Sequence, residues 1–157
     1  MIIDTQKRTI GIQLRKLIFL LLLVFFLVVL YASNYFNELV LGIERNQYAF
    51  GATLLFCLYY AFSYFRDYNY IYFNNNSSKI ILRYYSLKPL TSEQNSLEMN
   101  KPDFQKFEIK ESFGGLLRYL IVYQRTAKGI AKYPPISISI LKKKDVDQLT
   151  RELSRIR

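Results

Sequence analysis

The chain has no histidine in 157 residues. That removes both the commonest general base and the commonest transition-metal ligand. The single cysteine, Cys57, cannot form an intrachain disulfide, and its place inside an uncharged apolar run points to packing rather than chemistry. Also missing are a glycine-rich phosphate loop, a nucleophile elbow and any cluster of metal ligands. Asp103, Glu108, Glu111, Asp145 and Asp147 are the carboxylates available to pair for acid–base work, but the sequence gives no sign that any is buried, so solvated surface is expected for all five. No catalytic residue, cofactor or metal site follows from these residues, and the chain is expected not to be an enzyme.

Charge is absent over two long stretches. Leu17 to Asn37 is uncharged for 21 residues, and its core "LIFLLLLVFFLVVLYA" is apolar almost throughout. Asn46 to Phe65, "NQYAFGATLLFCLYYAFSYF", is uncharged for 20 and richer in tyrosine. A helix rises about 1.5 Å per residue and a bilayer's hydrocarbon core is about 30 Å thick, so each run is just long enough to span. A cleaved secretory signal is the main rival for the first run. Its 16-residue apolar core is long for that role, and the triplet Leu30-Tyr31-Ala32 lacks the small residue that cleavage wants at its first position.

The remaining charge gives these runs a direction. Lys7, Arg8, Arg15 and Lys16 precede the first run against Asp4 alone. The connection "SNYFNELVLGIER" carries only Arg45 against Glu38 and Glu44, and Arg66, Lys79, Arg83 and Lys88 follow the second run. Basic flanks around a neutral-to-acidic connection place both termini in the cytoplasm and the connection outside. Tyr31, Tyr35 and Tyr48 at the outer ends, with Tyr64 and Tyr68 at the inner end, suit interfacial aromatic belts. The organisation expected is a basic flank (1–16), a transmembrane helical hairpin (17–65, with spans near 17–37 and 46–65) and a cytoplasmic domain (66–157).

Residues 66–157 have enough length for one small core. "YNYIYF" and "KIILRYYSL" flank the turn-forming "NNNSS" and read as a β-hairpin. A short strand is expected at Ser96–Met99, and "FQKFEIKE" alternates as a half-buried strand. Gly114-Gly115 make a turn into "LLRYLIVYQ", which is apolar on both faces and should be central. After Pro134-Pro135, Ile136, Ser137, Ile138, Ser139 and Ile140 alternate with a period of two. Val146, Leu149, Leu153 and Ile156 then form one apolar helical stripe, with Asp145 and Gln148 as a capping pair at its start.

Antiparallel strands beginning with a hairpin and ending in one amphipathic helix resemble a pleckstrin-homology (PH)-like domain. With the two apolar runs included, the chain resembles small bacterial membrane proteins that carry a cytoplasmic PH-like module. The resemblance rests on "YIYFNNNSSKIILRYYSL", "SLEMNKPDFQKFEI" and "ISISILKKKDVDQLTREL". It implies an α+β membrane protein: a two-helix hairpin, then an antiparallel β sandwich or barrel closed by a C-terminal helix. Phosphoinositide-binding PH domains cluster cations around their first hairpin loop. Here the loop is Asn74-Asn75-Asn76-Ser77-Ser78, with only Lys79 and Arg83 nearby, so no inositol-phosphate site is implied.

Two features remain as candidate sites. Ala49, Thr53, Cys57 and Ala61 recur every four residues in the second run, and small residues at that spacing let helices approach closely in a membrane. They serve either to pack the hairpin's own partner helix or to dock another integral membrane protein or complex. Residues 66–157 hold 17 Lys and Arg against 9 Asp and Glu, a balance of +8, with one tight cluster at Lys142, Lys143 and Lys144. Ordinary positive-inside charge accounts for it, and contact with an anionic bilayer surface is the alternative; nucleic acid is the least favoured partner. The expected function is a non-enzymatic accessory or scaffold subunit of a larger membrane complex, with a self-contained anionic-lipid or membrane-surface sensor as the alternative.

Overall fold

The computed structural model describes residues 1–33, 43–88, 91, 93–127 and 129–156. The chain divides into two compact units. One joins Met1–Thr9 to Arg66–Arg157, and the other is Ile10–Phe65.

The second unit is helical. α1 runs over Gln6–Ala32 and α2 over Arg45–Phe65. Both are long and apolar enough to cross a membrane, and almost nothing in their apolar windows is buried. α1 starts well before the expected span, because "QKRTIGIQLRK" holds no helix-breaking proline. The two helices run antiparallel. Phe19 stacks obliquely on Tyr59 at 4.6 Å, with Lys16 over the Tyr60 ring at 5.6 Å. Near the other end the Tyr31 hydroxyl donates to Asn46 Oδ1 at 3.2 Å, with Arg45 over the Tyr31 ring at 4.8 Å. Residues 34–42, most of the connection expected to be external, and with them Tyr35 of the expected aromatic belt, lie outside the described residues.

The first unit is α+β, with antiparallel strands in two sheets. One sheet has the order β1 (Ile2–Asp4), β2 (Asn69–Asn74), β3 (Lys79–Ser86), β4 (Gln94–Asn100). In the other, β6 (Leu117–Thr126) is central, with β5 (Phe104–Ser112) on one side and β7 (Gly129–Lys132) and β8 (Ile136–Ser137) on the other. The centrality of β6 follows from its sequence: Leu120, Ile121 and Val122 are consecutive and all buried, so both faces are covered. A 3-10 turn, Lys101–Asp103, leads from β4 into β5. The β5–β6 turn passes Phe113, Gly114 and Gly115, all at positive φ. Glycine takes that conformation freely, whereas Phe113 is strained in it.

The core draws on both sheets and on α3 (Lys143–Ser154). Ile71 and Phe73 alternate inward on β2, Ile80 and Leu82 on β3, Leu97 and Met99 on β4, and Val146, Leu149 and Leu153 form the buried stripe of α3. Ile156 lies past the end of α3 and is only half-buried.

The fold departs from the sequence reading in four places. Among the described residues no closed barrel forms; the strands make two open sheets, with β4 at an edge of one and β5 at an edge of the other. The Ile/Ser alternation pairs over Ile136–Ser137 alone, since the chain turns where Leu141 N–H bonds the Ile138 carbonyl at 2.9 Å. Ser137 is buried there, and its hydroxyl donates to the Asp67 carbonyl at 2.5 Å. Asp145 and Gln148 do not cap α3. Its N-cap is Lys142, without a side-chain cap bond, and Asp145 already sits inside the first turn with its N–H on the Lys142 carbonyl at 2.9 Å.

The fourth departure is topological. Residues 1–16 read as a flank, yet Ile2–Asp4 form a strand on β2, in the register Ile2↔Asn74, Ile3↔Phe73, Asp4↔Tyr72. Thr5 then ends the ladder and α1 begins at the next residue. The helical pair is therefore inserted between two hydrogen-bonded neighbouring strands.

Candidate functional site

Of the α2 stripe, Thr53, Cys57 and Ala61 are exposed and Ala49 is half-buried. The side of α2 that meets α1 is aromatic, through Tyr59 and Tyr60. The sequence left open whether the small residues pack the partner helix. Three of the four, Thr53, Cys57 and Ala61, form an exposed strip of small residues on α2.

Lys142, Lys143 and Lys144 are brought together as the N-cap and first two residues of α3, and all three are exposed. Cations at a helix N-terminus oppose the helix dipole, each by about 0.3–1 kcal/mol where exposed. Asp145 follows them in the first turn, but its carboxylate is engaged elsewhere: it is half-buried and ion-paired with Arg8. The sequence reading had placed Asp145 on solvated surface. Its spacing gave no hint of a partner 137 positions away in the chain. Among the other carboxylates, Glu108 accepts from Lys106 Nζ at 2.8 Å, which holds its carboxyl below the usual range. Glu111 pairs with Arg118 at 3.0 Å, and Asp103 accepts from Asn100 at 3.1 Å. Among the described residues no group of three or more His, Cys, Asp or Glu side chains is placed to hold a metal ion.

A second polar knot, unforeseen in the sequence, surrounds Asp67, one of two non-glycine residues at positive φ among the described residues. Its carboxylate takes Lys88 Nζ at 2.6 Å and its carbonyl takes Ser137. Burial and the Asp67 carboxylate together push the Tyr119 hydroxyl above its ordinary pKa. Asp67 follows α2 by two residues, so this knot ties the chain, as it leaves that helix, to β6, β8 and the end of β3. On the preceding side, Arg8–Asp145 ties the first turn of α1 to the first turn of α3.

No protein-family model, curated protein or solved structure matches the chain.

Proposed function

We propose that this chain is a non-enzymatic accessory or scaffold subunit of a bacterial inner-membrane complex. In this reading α1 and α2 span the bilayer, both termini are cytoplasmic, and the β domain is a PH-like module with its first two strands separated by the helical pair. The domain assignment draws support from the strand order of the two antiparallel sheets and from the single C-terminal helix. The topology draws support from β1 pairing with β2: strands that share hydrogen bonds lie on one side of a membrane, so the helices between them cross it an even number of times.

The exposed strip of Thr53, Cys57 and Ala61 carries the scaffold reading. In lipid, where apolar burial gives helices no reason to associate, a small-residue strip supplies close backbone approach to a partner helix. The decisive experiment is co-purification in mild detergent of wild type and the Thr53→Leu/Cys57→Leu variant. Both changes make α2 more apolar, so insertion is retained while the strip is filled. A stoichiometric membrane-protein partner present with wild type and lost with the variant supports the reading. An identical set of co-purifying proteins overturns it.

A further inference from the structure

We propose that Lys142, Lys143 and Lys144 form a contact surface for anionic phospholipid headgroups of the bilayer that holds the chain's own helices. The inference rests on the bilayer reading of α1 and α2 but is independent of any protein partner.

The Arg8–Asp145 ion pair carries it. Arg8 lies in the first turn of α1, and Asp145 directly follows the lysines in the first turn of α3. The pair fixes the lysine cluster beside the foot of α1. Leu17, where the uncharged run begins, lies nine residues further along that same helix. Nine residues of helix rise roughly 14 Å, of which a headgroup layer takes up about 5–8 Å, and the remainder is within a Debye length of about 8 Å. A cation at that height lies within reach of the surface potential of an anionic leaflet.

The local charge balance has the matching sign. The ion pair uses up the Asp145 carboxylate on Arg8, so it does not offset the lysines. None of the three lysines forms an ion pair among the described residues, and each is exposed. Lys7, also exposed, adjoins Arg8 on α1. Within residues 142–147 Asp147 is the one other acid, against the three lysines. Flexible ammonium groups on three consecutive exposed residues suit a layer of phosphodiester charges rather than one oriented ligand.

The full chain should be reconstituted in nanodiscs of phosphatidylcholine, with or without phosphatidylglycerol, and amide hydrogen exchange followed over residues 143–150. Phosphatidylglycerol is expected to slow exchange there in wild type, with the effect fading at high salt. Each Lys→Gln change at 142, 143 or 144 should reduce the docked-to-free ratio about fivefold, the equivalent of one cation near an anionic surface. Asp145→Asn keeps the lysines and adds positive charge, so a weaker phosphatidylglycerol response supports placement by the ion pair, and a stronger one overturns it. Equal exchange in both bilayers overturns the proposal, as does the same protection from inorganic phosphate in pure phosphatidylcholine. The Leu17–Ala32 amides serve as the internal reference: slow exchange in both bilayers upholds the spanning reading, and fast exchange there overturns that reading separately.

Discussion

Thr5 and Ile71 are joined by three hydrogen bonds. The Thr5 N–H and hydroxyl both donate to the Ile71 carbonyl, at 3.0 and 3.1 Å, and the Ile71 N–H donates to Thr5 Oγ1 at 2.8 Å. Thr5 is 1% exposed, and it is the last residue before α1. The contact therefore closes the β1–β2 ladder at the point where the chain turns into a helix.

Replacing Thr5 by valine preserves shape and removes the hydroxyl, leaving the buried Ile71 N–H without its acceptor. The expected cost is about 1–3 kcal/mol. Thermal melting of the detergent-solubilised chain should fall by several degrees for Thr5→Val and much less for Thr5→Ser. Equal melting of all three would mean that this ladder end contributes nothing to stability.

Leu149 is 0% exposed and lies at the centre of the apolar stripe of α3. Leu149→Asp combines a lost core side chain with a buried carboxylate, a loss of at least about 3 kcal/mol. A fragment from Asp67 onward fused behind residues 1–5 should unfold cooperatively and lose that cooperativity on this change. Unaltered melting would show that α3 does not close the core. The same fragment without residues 1–5 lacks β1 and should melt lower, because the β2 edge and its inward Phe73 lose their cover.

Local patterns in the sequence located most of the elements and few of the links between them. The β2–β3 hairpin, the central β6 and the stripe of α3 follow from periodicity and turn residues close together in the chain. β1 escaped notice because three residues, "IID", are too short for a periodic signal, and their partner lies across the whole helical pair. Arg8–Asp145 and Lys88–Asp67 escaped because ion-pair partners carry no mark in sequence. The candidate residues were legible as types: small on α2, basic on α3. Which way Thr53 and Cys57 face, and where Lys142–Lys144 are held, required the fold.

Glu108 offers a check on the β5–β6 face. The Lys106 ammonium donates to its carboxylate at 2.8 Å and holds its pKa below the ordinary value. A depressed carboxylate adds stability that is present above the unfolded-state pKa and is lost as pH falls through the folded one. Glu108 is too exposed for a large effect, so the pKa itself is the quantity to measure. Carboxyl NMR titration should show the Glu108 value rising toward the ordinary range in Lys106→Met. A value unchanged by the substitution would mean that the hydrogen bond is not formed in solution.

The insertion of the helical pair between β1 and β2 makes topology testable in a way that charge bias alone does not. If α1 and α2 both cross the bilayer, Asn75, whose N–H bonds the Met1 carbonyl at 3.0 Å, lies on the same side as the N-terminus. In a chain with Cys57 replaced by alanine, single cysteines at Asn75 and at Ile2 should both resist a membrane-impermeant thiol reagent in intact cells and react once the cells are opened. A cysteine at Asn37, in the connection outside the described residues, should react from outside. Excess basic residues on both flanks set which side is which, and the strand pair requires the two flanks to agree. Opposite labelling of Asn75 and Ile2 would break the β1–β2 pairing and the bilayer topology together. External labelling of both would keep the sheet and invert the orientation.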